Sequence, residues 1–191
     1  MNKRISLVFV PVGIGINVLG GMLATSLKLP VFLDTIGTIL SAAILGPWWG
    51  ALTGGITNVI GSLQSPADMW FAVVNIVVGL IVGFISRNYG FKKIAPVLFA
   101  GIIIAIVSPI IGTLIATYVY GGLTGGGIDI IVAGLMKSGQ SVFVASFIPR
   151  LGSNLIDKIL SVFVVMFIVK ALPRALQGFA SGKESSDSAA E

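Results

Sequence analysis

The sequence predicts an all-α integral membrane protein with six transmembrane helices. Hydrophobic residues make up 55% of the 191 residues and charged residues only 10%, whereas about 25% of the residues are charged in an ordinary soluble domain. The mean hydropathy of +1.04 is correspondingly high. Apolar stretches recur along the chain, and an α-helix needs about 20 mainly apolar residues to cross the hydrocarbon core of a bilayer.

The helices follow from these apolar stretches in order. The second and third are short and are separated by the turn sequence GPWWG, so one long bent hairpin is the alternative there. The first follows a basic start, as a signal peptide would, but its apolar run is longer than a signal sequence needs, and we expect it to be retained. The predicted helices cover residues 5–27, 31–45, 48–63, 70–86, 94–120 and 153–172.

Two segments of the chain are not predicted to span. The segment 130–152 is too short and too polar, and we expect a re-entrant or surface helix there, over the outer mouth of the bundle. From Gln177 onward the chain is polar and low in complexity, which is typical of disorder. We therefore expect a six-helix transmembrane substrate-binding domain over residues 1–176 and a disordered cytoplasmic tail over residues 177–191.

The distribution of Lys and Arg predicts the orientation, because short cytoplasmic loops are enriched in these residues. Six helices place both termini on one side, and that side collects eight of the 12 basic residues against four on the other. Both termini are therefore predicted to be cytoplasmic. This inner collar also explains the net charge of +5, so nucleic acid is not expected as a partner. The eight are Lys3, Arg4, Arg87, Lys92, Lys93, Lys170, Arg174 and Lys183; the four are Lys28, Lys137, Arg150 and Lys158.

The chain contains no cysteine and no histidine. This excludes disulfides, thiolate chemistry, metals bound through histidine and acid–base catalysis by histidine. We therefore expect no catalytic residues, no metal site and no cofactor.

A polar stripe is predicted on the outer part of the sixth helix. Asn154, Asp157, Lys158 and Ser161 follow one another at i, i+3, i+4 and i+7, which places them on one face. Asp157 and Lys158 lie about 10 Å below the outer boundary, where charges are costly unless they face a cavity or partners. As sequence neighbours they diverge by about 100°, so they are not expected to face each other. The alternative is that Lys158 snorkels outward and Asp157 bonds another helix.

Other polar residues are predicted near the same outer face. Asp34 and Thr38 lie one turn apart at the start of the second helix, and Asn75 is embedded in apolar sequence, where a hydrogen bond between helices is the alternative use. Trp70 is an interfacial belt residue or stacks on a ligand, and Gln140 lies in the predicted surface segment. Together they predict an outward-open pocket. Four carboxylates are predicted at this face: Asp34, Asp68, Asp129 and Asp157. Asp68 and Asp129 are equally well explained as helix caps.

Small residues are concentrated in two places. Gly13, Gly20, Gly21 and Ala24 give the first helix a smooth face on which another helix can pack closely, either inside this bundle or in another subunit. The stretch GGLTGGG, residues 121–127, is either a lid hinge or a flexible connector.

The stretches LPVFLDTIGTILSAAILGPWWGALTGGITNVIG, residues 29–61, and NLIDKILSVFVVMFIVKALP, residues 154–173, resemble the substrate-binding subunits, or S components, of energy-coupling factor (ECF) transporters. The resemblance covers the chain to about Arg174. It implies a subunit of an ABC importer in the bacterial plasma membrane that captures a water-soluble vitamin or related micronutrient from outside. A membrane scaffold subunit and two cytoplasmic ATPases then release it inside, so the chain itself is not expected to be an enzyme.

The resemblance also implies roles for individual residues. Asn154, Asp157 and Lys158 fall where the last helix of the family supplies polar ligands, and Asp34, Thr38, Asn75 and Gln140 fall on pocket-facing segments. The small face of the first helix would meet the scaffold. The alternative function is a stand-alone secondary transporter of a small polar solute. Such a transporter would need ionisable residues near the middle of the membrane and ideally an inverted repeat. Neither is found in the sequence.

Overall fold

The computed structural model describes residues 3–181, with side chains from Val8 onward, as seven α-helices without a β-strand. This confirms the all-helical prediction for the described residues. Gly46, with φ of 97°, separates α2 from α3, so the chain forms two short helices here. The helices are α1 (Lys3–Ser26), α2 (Ile36–Leu45), α3 (Pro47–Gly61), α4 (Asp68–Tyr89), α5 (Ile94–Tyr120), α6 (Asp129–Lys137) and α7 (Val142–Ala171).

Four helices are long and apolar enough to cross a membrane: Val8–Ser26 within α1, and all of α4, α5 and α7. The other apolar helix, α2, has 10 residues and α3 has 15. At 1.5 Å per residue these two reach only about 15 Å and 22 Å, against about 30 Å of hydrocarbon. The fold is therefore that of a helical membrane protein with at least four spans by length and composition.

Two helices begin five or more residues away from their predicted starts. The second helix begins at Ile36 instead of residue 31, because Leu29 precedes Pro30, and Lys28 and Leu33 adopt left-handed φ angles of 50° and 54°. The last helix begins at Val142 instead of residue 153 and continues through Pro149. We refer to residues 27–35 as the α1–α2 connection.

The early start of α7 changes the interpretation of the segment 130–152. Instead of one surface helix it contains most of α6 and the first turns of α7, which are separated at Gly139 with φ of 89°. The Ser141 hydroxyl accepts a hydrogen bond from the Val144 amide at 3.4 Å and caps α7. Polar residues in these first turns lowered the hydropathy of the segment, but Ser146, Arg150 and Ser153 are buried within the bundle.

Helix α2 lies at the centre of the bundle. All of its residues except Ile36 are buried, and it contacts α1, α3, α4 and α7. Glycines permit this close packing: a Cβ on Gly37 would overlap the backbone of Gly13 in α1. Gly50 of α3 and Gly79 of α4 meet in the same way. The hydrophobic core extends from α2 to Val78, Val97 and Val165 on the long helices.

The chain after α7 remains folded further than predicted. Two 3-10 turns follow, Arg174–Leu176 and Gly178–Ser181. The Gln177 amide donates to the Leu172 carbonyl at 2.7 Å, and the Phe91 amide donates to the Ala180 carbonyl at 2.9 Å. The buried Gln177 and Ala180 thus attach this segment to the bundle, so the predicted tail does not begin at Gln177. The rest of the predicted tail, residues 182–191, lies outside the described residues.

Candidate functional site

A cavity of about 710 Å³ lies at one end of the bundle. Its size falls in the range of pockets that hold small molecules, about 300–1,000 Å³. The last turns of α1 and α3, the first turns of α4, the later half of α5 and the first half of α7 form its walls. The α1–α2 connection and residues 123–128 cover it. The described N-terminal end of α1 and the C-terminal end of α7 lie at the opposite end of the bundle.

Lys158 is the centre of a buried ionic cluster in the cavity wall. Its ammonium donates to the Asp157 carboxylate at 2.7 Å and to the Thr35 hydroxyl at 3.0 Å, and it lies 3.6 Å from the Asp34 carboxylate. The expectation that Asp157 and Lys158 do not face each other is therefore wrong. The long, flexible lysine stem folds back so that the ammonium reaches the neighbouring carboxylate despite the divergence of the two Cβ directions.

The same cluster attaches the α1–α2 connection to α7. The Asp157 carboxylate accepts a hydrogen bond from the Leu33 amide at 2.8 Å, and the Asp157 side chain is fully buried. The Lys158 ammonium also lies 5.9 Å from the centre of the Phe32 ring, within cation–π distance. Asp34 keeps 35% of its side-chain surface accessible, and its Oδ1 has no hydrogen-bond partner among the described residues.

A network of amides and hydroxyls joins α1, α2 and α3 beside this cluster. Asn17 is fully buried in α1, and its side-chain amide donates to the hydroxyls of Thr38 at 2.8 Å and Thr57 at 3.0 Å. Its carbonyl oxygen accepts from the Gly37 amide at 2.7 Å. Asn17 therefore satisfies polar groups on two neighbouring helices at once.

The network continues into α4. The Thr38 hydroxyl donates to the Asn75 side chain at 3.0 Å, and the Asn75 amide donates to the Asn58 side chain at 2.7 Å. The Asn75 amide also lies 3.2 Å from the Asp34 carbonyl oxygen, to which it donates. Asn58 and Asn75 thus bond between helices and line the cavity as well.

Arg150 holds the glycine-rich loop over the cavity. Its guanidinium donates to the Gly122 carbonyl at 3.5 Å and to the Thr124 hydroxyl at 3.2 Å. From the other side, the Asp129 carboxylate accepts hydrogen bonds from the amides of Thr124 at 2.7 Å and Gly125 at 2.6 Å. Gly122 and Gly125 have φ of 103° and 90°, which favour glycine. The loop is therefore anchored at both ends; a hinge role stays a prediction.

The structure brings together six of the eight residues predicted to bind substrate. Asp34, Asn75, Asn154 and Lys158 line the cavity, and Asp157 and Thr38 lie directly behind this lining, bonded to Lys158 and Asn75. The other two predicted residues lie elsewhere: Trp70 is 56% exposed, and Gln140 is exposed in the connection between α6 and α7. Neither of these lines the cavity.

The four residues predicted to dock on a scaffold face the inside of this chain. A Cβ on Gly13 would meet α2 at the Gly37 carbonyl, and one on Gly20 would overlap the backbone of Leu33. Gly21 and Ala24 line the cavity. The small face packs within the bundle because α2 and the connection before it lie directly against α1. Docking of these residues on a scaffold subunit stays a prediction.

Several cavity residues were not predicted from the sequence. Asn17 carried the same signal as Asn58 and Asn75, a lone amide in an apolar helix, and was not used for the pocket. Thr57, Ser108 and Thr124 gave no such signal, because single hydroxyl residues are common in membrane helices and loops. Asp68, which was equally well explained as a helix cap, lines the cavity.

Comparisons with known proteins agree with this architecture. A family profile described as the substrate-specific component of ECF transporters matches residues 6–169, which is most of the chain. Neither the curated proteins nor the solved structures gave a match. The chain therefore belongs to the family of ECF transporter substrate-specific components.

Proposed function

We propose that this chain binds a small water-soluble micronutrient of the vitamin type in the cavity and passes it to the cytoplasm with an ATP-driven module. The observation that carries the proposal is a cavity of suitable volume whose wall contains buried charged and amide side chains. Charges in a membrane helix are costly and mark pathways or binding sites. Membership of the family supports a transport subunit and not an enzyme.

The proposed binding residues are those that line the cavity. Asp34, Asn75, Asn154 and Lys158 would contact the solute. Asp157 and Thr38 would orient Lys158 and Asn75 through the hydrogen bonds of 2.7 Å and 3.0 Å described above.

We also propose six membrane crossings with both termini in the cytoplasm of a bacterial-type cell. In this arrangement α1 to α5 and α7 cross, α2 does so together with the α1–α2 connection, and α6 lies at the outer surface. Exposed basic side chains support it: Arg87, Lys93, Lys170 and Arg174 lie at the end opposite to the cavity. At the cavity end only Lys28 and Lys137 are exposed cations among the described residues.

The energy would come from partner subunits. The chain contains no GxxxxGK[ST] sequence of the kind that binds ATP phosphates. A membrane scaffold subunit and two cytoplasmic ATPases, the partners implied by the family, would therefore drive release inside.

Uptake of labelled vitamins by cells tests this function. The chain is expressed with an ECF module, without it, and with a module whose ATPases are inactive. We expect one solute to enter only with the active module, and Asn75→Leu or Asn154→Leu to reduce its uptake at least about tenfold through loss of a hydrogen bond to the solute. Equal uptake without a module would instead show a stand-alone secondary transporter.

A further inference from the structure

We propose that the cavity selects solutes that carry a positively charged nitrogen, bound between Asp34 and Asp68. This inference deepens the proposed function and rests on it for the biological role of the site. The grounds are the charges in the cavity wall: the cations are paired inside the protein, and the carboxylates outnumber them.

The two cations of the wall are already engaged. The Lys158 ammonium is held by Asp157 at 2.7 Å, with a further hydrogen bond to Thr35. The Arg150 guanidinium donates to backbone carbonyls and to Thr124, and Asp129 acts on it electrostatically. Lys158 therefore lies between two carboxylates and Arg150 has one nearby, so neither cation offers an unpaired positive charge to a solute.

The carboxylates that remain are Asp34 and Asp68. Asp34 is ion-paired with Lys158 at 3.6 Å, but it shares that ammonium with Asp157 and keeps 35% of its side-chain surface accessible. Asp68 forms no ion pair with any Lys or Arg that the structure describes. Both line the cavity, and the charge of Asp34 acts on Asp68. The exposed Lys28 and Lys137 do not line it. The wall thus carries surplus negative charge.

Neutral groups of the cavity fit the same kind of ligand. Ser108 of α5 is 3% exposed, lines the cavity, and its hydroxyl has no hydrogen-bond partner among the described residues. An unpaired buried hydroxyl is costly, so a bound solute that pairs with it gains affinity. Phe71 and Tyr120 line the same space, and aromatic faces attract cations. A solute with a cationic nitrogen and a nearby hydrogen-bonding group matches these features.

Charged thiol reagents test this inference without knowledge of the natural solute. The chain has no cysteine, so Ser108→Cys gives a single thiol in the cavity and Ser138→Cys gives a control thiol on the exposed connection after α6. The purified full chain is treated with two methanethiosulfonates of similar size, one bearing a trimethylammonium group and the other a sulfonate. The measured quantity is the ratio of the two modification rates at each thiol.

We expect the cation-to-anion ratio at Ser108→Cys to exceed that at Ser138→Cys by at least about tenfold, because a surplus of negative charge in a cleft concentrates cations and excludes anions. Adding Asp34→Asn or Asp68→Asn should lower the ratio several-fold. Asn88→Lys, which makes the same change of net charge at an exposed position of the far end of α4, should leave it unchanged.

The opposite results overturn the inference. An equal or lower ratio in the cavity, or a ratio that is insensitive to both aspartates, would mean that the surplus charge is not presented to solutes. If the thiol at Ser108 reacts with neither reagent, Thr25→Cys, an exposed residue of the cavity wall, serves instead. No reaction there would show that charged solutes do not enter. The modification rates are measured on the chain without a transport module. A negative result for the cation-to-anion ratio is therefore distinguishable from a failure of uptake, which tests the proposed function.

Discussion

At the scale of single residues, Asn17 connects more of the bundle than any charge does. Its amide group bonds Thr38 of α2 and Thr57 of α3, and its oxygen bonds the Gly37 amide, all at 3.0 Å or less. The Asn17 side chain is fully buried, so its hydrogen bonds are made within the bundle. Loss of the side-chain amide would leave the Gly37 N–H without its partner, whereas Thr38 and Thr57 would each lose one hydrogen bond and keep the one they donate to Asn75 and to the Thr53 carbonyl.

We therefore expect Asn17→Leu to lower the free energy of unfolding by about 1–3 kcal/mol for each partner that stays unsatisfied. The measurement is the thermal unfolding midpoint of the purified chain in detergent. Asn88→Leu, at an exposed Asn near the other end of α4, is the matched control and should change the midpoint little. Equal midpoints for the two variants would contradict the role assigned to Asn17.

The pair of Asp157 and Lys158 allows a sharper test at the same scale. Lys158→Met leaves Asp157 buried without its cation and should destabilise the chain by about 3–5 kcal/mol, as breaking a buried ion pair does. Asp157→Asn together with Lys158→Met removes both charges, so the double variant should be more stable than Lys158→Met alone. Thermal unfolding of the single and double variants measures this coupling. If the double variant is the less stable one, the ion pair does not explain the burial of Lys158.

Much of this site could be predicted, because residues three or four positions apart in a helix lie on the same face. That spacing placed Asn154, Asp157 and Lys158 in one wall, as the structure has it. Trp70 and Gln140 lie outside the cavity lining, because their side-chain directions depend on how α4 and the connection after α6 pack, which the spacing along one helix does not contain. The role of Arg150 was not predicted, since its partners in the glycine-rich loop are distant in sequence.

At the scale of helices, close contact of α1 with α2 depends on two glycines that face each other. A Cβ on Gly37 would overlap the Gly13 backbone, whereas Gly15, two residues further along α1, has nothing within 4 Å of its Cβ position. Gly37→Ala should therefore push the two helices apart and disturb the hydrogen bonds of Asn17. Gly15→Ala should be neutral or stabilise the chain by about 0.5–1 kcal/mol, because glycine is a poor helix former.

Thermal unfolding of these two alanine variants tests the contact. Gly37→Ala is expected to unfold at a clearly lower temperature than the unmodified chain, and Gly15→Ala at the same temperature or slightly higher. Similar destabilisation by both would indicate a general effect of alanine in these helices and not a specific contact. A stable Gly37→Ala variant would show that α1 and α2 are further apart.

Helix prediction from the sequence succeeded where an apolar segment is also long enough to cross a membrane. The predicted bounds of the fifth helix, 94–120, coincide with α5. Prediction failed for the first turns of α7, because Ser, Arg and Gly lower the hydropathy of a segment that is buried by tertiary packing. It also failed for the first turn expected in the second helix, where backbone geometry around Pro30 produces a connection that covers the cavity. The turns that follow α7 depend on contacts with residues far along the chain, such as Phe91.

At the scale of the whole molecule, the two ends of the bundle have different chemistry. The carboxylates of the described residues, Asp34, Asp68, Asp129 and Asp157, all lie around the cavity or its covering loop. The exposed cations Arg87, Lys93, Lys170 and Arg174 lie at the other end. Cytoplasmic loops carry the excess of Lys and Arg in membrane proteins, whereas carboxylates contribute little to orientation. The asymmetry therefore predicts that the cavity opens to the outside.

Labelling of single cysteines in intact cells tests this orientation. A maleimide that does not cross membranes should label Ser138→Cys, at the cavity end, without any treatment of the cells. It should label Asn88→Cys, an exposed residue at the basic end, only after the membrane is permeabilised. Both positions are exposed, so a difference between them reports the side of the membrane and not burial. The reverse pattern would place the cavity in the cytoplasm, where a chain of this family would have no access to an external solute, and capture from outside would then be excluded.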